Sequence, residues 1–169
     1  MSASKTSQST DPKEKLFAII RDIRIGMLAT ARGDGRLHMR PMVTHLEEAD
    51  GPLWFFTAED SPKAEEIASD RHVAIGYTDA KRQMYAVVSG TARLVQDHEV
   101  IRRLWSPTLV TWFPKGMEDP NLALLRVDVS GGEYWDAPSS TMVEIMAAVQ
   151  SGLAHPPPID SGDHAKVRM

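Results

Sequence analysis

The chain has 169 residues, 42% of them hydrophobic and 25% charged, and 19 basic against 23 acidic side chains give a formal net charge of −4. That size suits one domain with one core, and the acidic balance argues against a general binder of nucleic acid or anionic membrane, while leaving room for a local basic pocket. No apolar run reaches the roughly 18–20 residues of a membrane helix, the polar stretch Met1–Asp11 lacks the apolar segment of a secretory signal, and without cysteine there is neither a disulfide nor thiolate chemistry, so a cytoplasmic location is the expectation.

In chain order, residues 1–10 read as a disordered leader, 11–153 as the folded domain and 154–169 as a disordered tail around Pro156-Pro157-Pro158. Asp11-Pro12 opens a helix, with Asp11 as cap and Leu16, Ile19, Ile20 and Ile23 as its apolar stripe. Gly26–Ala31 is a strand, Arg32-Gly33-Asp34-Gly35 a turn, and Leu37–Leu46 the returning strand of a hairpin. Leu53–Thr57 is a third, aromatic strand. Ser61 then stands as N-cap and Pro62 as first helical residue of a helix reaching about Ser69. Val73–Thr78 and Gln83–Val95 pair around a turn at Asp79–Lys81, and Gly90 marks a bulge in the longer strand. Asp97 caps a helix carrying Val100, Ile101, Leu104 and Trp105. Residues 106–120 read as loop, Leu122–Val129 and Glu133–Trp135 as the last strand or strands, and Ser139–Leu153 as a Met- and Ala-rich helix. The whole predicts a mainly β (α+β) fold, a six-stranded antiparallel split β-barrel with peripheral helices. No GxGxxG or Walker sequence is present.

Two stretches place cationic or hydroxyl groups where a phosphate could be held. Arg40 sits mid-strand beside Pro41, which cannot donate to a sheet ladder and so marks an edge or bulge, and its fork of donors can reach an anion. A surface arginine in a strand-end ion pair is the ordinary alternative. Ser61 and Lys63 at a helix start put a hydroxyl, free backbone N–H groups and an ammonium around one point; a capped helix with a solvated lysine is the plain reading of the same residues. Thr57 adds to the case by conjunction, since a strand–loop–helix connection brings it near Ser61 and Lys63. Gln83 offers the donor and acceptor of an amide, which suits the edge of a heterocycle, though a surface glutamine looks the same. Trp105, Trp112 and Trp135 could flank a planar ring, or serve as core or interface residues. The six histidines show no metal-ligand spacing, so no metal is expected. Glu47-Glu48 and Glu65-Glu66 read as solvated faces.

Together, Arg40-Pro41-Met42, Phe55-Phe56-Thr57 with Ser61-Pro62-Lys63, Arg82-Gln83-Met84 and Glu133-Tyr134-Trp135-Asp136 resemble the pyridoxamine-phosphate oxidase-like flavin split barrels, in particular their general stress protein branch. The resemblance runs from about Lys15 to about Ala148. It implies FMN, or FAD, bound at the interface of a homodimer. Arg40, Ser61 and Lys63 would hold the phosphate. Pro41, Met42, Phe56 and Thr57 would lie along the ribityl and isoalloxazine groups, and Gln83 and Trp135 would come from the partner subunit or the far wall. Oxidases of this family carry an arginine where Pro62 stands and a substrate-binding lysine where His45 stands. The arginine-and-histidine segment after their equivalent of Trp135 is here Asp136-Ala137-Pro138-Ser139. The implied function is an FMN-binding stress-type protein, as a flavin-dependent oxidoreductase that is not a true pyridoxamine-phosphate oxidase. The alternative is a flavin-binding or sensing module without turnover.

Overall fold

The computed structural model of the protein describes residues 11–136 and 163–169. Helix α1 (Pro12–Ile23) starts where the sequence places it. The Asp11 carboxylate accepts the Lys13 N–H at 2.9 Å, and Leu16, Phe17, Ile19 and Ile20 are buried along one side. Strands β1 (Ile25–Ala31) and β2 (Leu37–Val43) form the first hairpin, with the Asp34 carboxylate accepting the Arg36 N–H at 3.0 Å across the turn. Strand β3 (Leu53–Ala58) leads into α2 (Pro62–Ser69), and β4 (His72–Asp79) and β5 (Met84–Val95) form the second hairpin. Helix α3 (His98–Leu104) is capped by Asp97, whose side chain accepts from the Glu99 and Val100 N–H groups. The segment expected as loop contains two short 3-10 turns, Pro107–Thr111 and Gly116–Glu118. Strands β6 (Leu122–Asp136) and β7 (Asp163–Arg168) complete the described chain.

The seven strands form one antiparallel sheet in the order β2-β1-β4-β5-β6-β3, with β7 also paired to β6. Of the last strand or strands expected over Leu122–Trp135, the structure makes one, β6, which is 15 residues long. Its first part pairs with β3, its last part, Gly131–Asp136, pairs with β7, and β5 runs along its other edge. The β5–β6 register slips between Ser89 and Gly90, the bulge that Gly90 signalled. The two ends of the sheet meet at a bridge in which His45 and Trp54 exchange backbone hydrogen bonds of 2.8 and 2.9 Å. The sheet is therefore curled into a split barrel but not closed. Among the described residues no helix is long and apolar enough to cross a membrane.

Two expectations need correction. Among the described residues seven strands stand where six were expected, because Asp163–Arg168, within the stretch expected as tail, form a strand. Ala165 and Val167 alternate with Lys166 and Arg168, and this short two-residue period lets β7 pair with β6 and put Val167 in the core. Strand β2 ends at Val43 rather than Leu46, since Thr44 leaves the ladder before the His45 bridge. The expected helix over Ser139–Leu153 and the leader 1–10 lie outside the described residues.

Alternation along β3 divides the interior. Leu53 and Phe55 face α1 and the main core with Leu28, Ile75, Tyr77 and Leu125. Trp54 and Phe56 face the other way into a smaller core with Ile101, Leu109, Leu122 and Leu124, under α3 and the 3-10 turns. The β1–β2 hairpin breaks the usual pattern of one polar face. Ile25, Met27, Leu37, Met39 and Val43 are all exposed on its outer side, Leu37 at 76% and Met39 at 54%. The register sets Ile25 opposite Val43 and Met27 opposite the exposed Pro41, making a continuous apolar strip.

The bulge gives the first prediction. A Cβ on Gly90 would lie 2.2 Å from the Asp128 carbonyl oxygen, whereas one on Gly33 would meet nothing within 4 Å. Gly90→Ala is expected to lower stability in urea unfolding by about 2–3 kcal/mol, the scale of an overpacked site. Gly33→Ala should stay within about 0.5 kcal/mol of the parent. Equal effects of the two substitutions would remove the bulge as a packing constraint.

Candidate functional site

The turn between β3 and α2 concentrates the polar groups singled out from the sequence. Pro62 takes the first helical position, where an N–H is not needed. Ser61 precedes it at the N-cap position, as expected, but its hydroxyl bonds no helix N–H; its Oγ lies 3.0 Å from Thr57 Oγ1 instead. Lys63 donates from Nζ to the same Thr57 Oγ1 at 3.1 Å. Thr57 and Ser61 are buried and Lys63 is partly so. Pro62 has no N–H and the Ala64 N–H donates to the Ser61 carbonyl at 2.9 Å, so the Lys63 N–H is the first-turn donor left open, at the end where the helix carries its partial positive charge.

Arg40 reaches this corner from β2, which is an edge strand, as Pro41 implied. The register sets His38 opposite Thr30 and Arg40 opposite Leu28, so Thr30, His38 and Arg40 share the inner side of the hairpin. Arg40 donates from Nη1 to Thr30 Oγ1 at 2.5 Å and from Nη2 to Glu66 Oε2 at 2.6 Å. The Thr30 hydroxyl donates to the same carboxylate oxygen at 2.5 Å. His38 Nδ1 lies 3.1 Å from Glu66 Oε1 and 2.8 Å from Arg40 Nη2.

Glu66 corrects the sequence reading. It is not on a solvated face but 9% exposed, and it is the acid that every polar group on this side of the hairpin uses. Burial by itself raises its titration, and the hydrogen bonds from Thr30, Arg40 and His38 overcome that and hold the carboxyl down to about 2. Burial likewise pushes the Lys63 ammonium below its ordinary range; the nearby Arg40 guanidinium pushes the same way and Glu66 opposes both. Two cations, two hydroxyls and a helix N-terminus thus converge, a donor set that can hold an anion of phosphate size. The sequence held one signal for Glu66. A predicted hairpin that aligns Thr30, His38 and Arg40 on an inward face demands a buried acid.

The other predicted residues lie elsewhere. Pro41 is on the outer strip, and Met42 packs against the main core. Phe56 occupies the opposite face of β3 from Thr57, with its ring edge-on to His45 at 5.1 Å and to Trp105 at 5.8 Å. Trp112 is 66% exposed on the first 3-10 turn. Gln83 does not begin a strand but ends the β4–β5 turn in the left-handed region, at φ 54, and its Oε1 is buried without a hydrogen-bond partner. Trp135 pairs with Tyr85 near the far end of β6. Thr57 pairs with Ala123, so roughly 30–40 Å of strand separates the two residues along β6. Along β6, Gln83 and Trp135 therefore stand at the opposite end of the strand from the Thr57 corner. Among the described residues no group of three or more His, Asp or Glu side chains is gathered as a metal site requires.

A curled, incompletely closed antiparallel sheet flanked by short helices defines a split-barrel protein. The family described as pyridoxamine 5'-phosphate oxidase like matches residues 11–156, and the chain belongs to that family. It is similar to General stress protein 26 of Bacillus subtilis (strain 168), at 30% identity over 138 residues that cover 80% of this chain and 96% of that protein. It is also similar to the protein bli-3 of Neurospora crassa, at 32% identity over 109 residues. That match covers 59% of this chain, which spans about half, 52%, of the length of bli-3. Among solved structures, the general stress FMN/FAD binding protein of Xanthomonas citri superposes with a TM-score of 0.68 at 29% identity, covering 91% of this chain and 100% of that one.

The buried carboxylate gives a pH prediction. Glu66 titrates lower in the folded chain than in the unfolded one, so its contribution is present above the ordinary carboxylate range and is lost as pH falls toward 2. In urea unfolding from pH 6 down to pH 2, the parent should lose about 2–3 kcal/mol more than Glu66→Gln does. Parallel acid limbs would show that Glu66 is not held as described.

Proposed function

We propose that this protein binds FMN, with its phosphate held by Lys63, Ser61, Thr57 and Arg40 at the start of α2. The observation that carries the reading is the convergence of Lys63 Nζ and Ser61 Oγ on Thr57 Oγ1 beside the Arg40 guanidinium, at a helix N-terminus with no side-chain cap bond. The relatives support it, since one solved neighbour is described as an FMN/FAD binding protein. The residues present fit the group chemically. Cations and N–H donors suit a phosphate dianion, and the buried, partnerless Gln83 Oε1 suits an N–H on the edge of a flavin ring. The chemistry such a cofactor supplies is hydride or electron transfer.

The same reading makes the working unit a homodimer. Gln83 and Trp135 stand far along the sheet from the phosphate corner of their own chain, so both can act on one flavin only across a second copy. The outer strip of Ile25, Met27, Met39 and Val43 is the apolar surface that such a copy would cover.

His45 bears on the reaction. Burial, with the Arg24 guanidinium nearby, pushes its imidazole below the ordinary histidine value. It lines a cavity of about 600 Å³ together with Arg21, Arg24, Thr44 and Arg103. A histidine pushed that way is a weaker cation than the lysine with which the oxidases grip a phosphorylated substrate, so pyridoxamine phosphate is not the substrate of this reading. A flavin-dependent oxidoreductase acting on another compound fits, and steady-state reduction by NADH or NADPH separates it from a flavin module without turnover.

Lys63→Ala is expected to weaken FMN binding in a fluorescence titration by about 1–3 kcal/mol, the scale of a lost charge-assisted hydrogen bond. Unchanged affinity in a folded variant would take Lys63 out of the site. Met39→Glu should both dissociate the dimer in sedimentation and abolish tight FMN binding. A monomer that keeps the parental affinity would break the link between dimer and flavin.

A further inference from the structure

His38 Nδ1 is within hydrogen-bond distance of two groups that make opposite demands. Arg40 Nη2, at 2.8 Å, can only donate, and the ionised Glu66 Oε1, at 3.1 Å, can only accept. One ring nitrogen cannot serve both. Without a proton it accepts from Arg40 and turns a lone pair toward Oε1. With Nδ1 protonated it donates to Glu66, and in the imidazolium, which carries a proton on both ring nitrogens, it also sets a positive charge against the guanidinium. The ring is half exposed, so water can deliver that proton directly.

The surrounding charges are few and known. On its own strand His38 faces Arg40; from β1 it faces the uncharged Thr30; from α2 it faces Glu66, with Lys63 beyond it in electrostatic range of both Arg40 and Glu66. When His38 is neutral with its proton on Nε2, the two N–H groups of Arg40 Nη2 are taken by His38 and Glu66, and Nη1 spends one more on Thr30. Little of the fork is left for a ligand.

We infer that His38 is a positioning residue for Arg40, and that protonating it frees one Arg40 N–H, draws Glu66 toward the imidazole and so strengthens the hold of this corner on a phosphate dianion. The inference rests on the FMN reading for its ligand, and on the three-way contact for its mechanism. Both effects have one sign, because a donor is released and a positive charge is added beside Arg40 and Lys63. The ligand's own second protonation near pH 6 works the other way. It is common to parent and variant and drops out of their comparison. By linkage, a ligand that prefers protonated His38 must also raise the pH at which His38 titrates.

The test is an FMN titration of the full chain at pH 5.5 and pH 8, on either side of the range where an imidazole ordinarily titrates. The parent and His38→Gln are compared, and the His38 ring is followed by NMR with and without ligand. Relative to His38→Gln, the parent should favour binding at pH 5.5 over pH 8 by roughly fivefold more, the scale of one added, partly screened charge. The NMR titration of His38 should move to higher pH on FMN saturation. Identical pH ratios in the two proteins, or a His38 titration unmoved by bound FMN, would overturn the inference while leaving the flavin reading intact. If the parent binds no FMN at either pH, the flavin reading fails and inorganic phosphate becomes the probe. A rise in the His38 titration with phosphate then supports the positioning role, and no rise overturns it.

Discussion

A buried carboxylate must be paired, and in this fold the pairing of Glu66 decides where the functional groups stand. Leaving a nine-tenths buried carboxylate without partners would cost several kcal/mol. Glu66 therefore ties α2 to both strands of the first hairpin through Thr30, Arg40 and His38. That tie fixes the direction from which α2 leaves β3. Lys63, three residues earlier on the same helix, is then brought onto Thr57, and the N-cap Ser61 turns its hydroxyl to Thr57 rather than to a helix N–H. The acid does not itself face an anion usefully. It holds one cation in place and keeps that cation from being a free surface group.

The second constraint is the length of β6. A strand of 15 residues that pairs with three others serves two regions of the sheet at once. Its first part, with β3, carries the corner where Thr57 sits, and its last part carries Trp135 opposite Tyr85. The same extension that makes the curled sheet cohesive separates the two groups of candidate residues. The apolar outer strip of the β1–β2 hairpin gives that separation a meaning. On the proposed homodimer reading, a second copy would cover this apolar strip and supply the other half of a shared site.

Much of this was readable before the structure, because the signals were local. Asp11-Pro12, Ser61-Pro62 and Asp97 mark helix starts through caps and fixed φ, and Gly90 marks a bulge because only glycine admits the Asp128 carbonyl so close. Arg40, Thr57, Ser61 and Lys63 were found together because a strand, a short turn and a helix start keep them close in sequence or in hairpin register. What stayed hidden depended on distant partners. Glu66 looks like any acid on a helix until the inward row of Thr30, His38 and Arg40 is placed against it. β7 was missed because Ala165 and Val167 are too few to show a strand until β6 offers an unpaired edge. Ser61 is the N-cap its sequence signals, but its hydroxyl has two acceptable partners, and only the position of Thr57 chooses between them.

The central claim is that one flavin phosphate is held at the Arg40–Lys63 corner, in a site completed by a second chain. Sedimentation velocity of the purified protein with FMN, followed at both the protein and the flavin absorption bands, tests it most directly. The account predicts that bound flavin sediments with a two-chain species, one flavin for each chain. Flavin carried by single chains, or a two-chain species that sediments colourless in excess FMN, would contradict it.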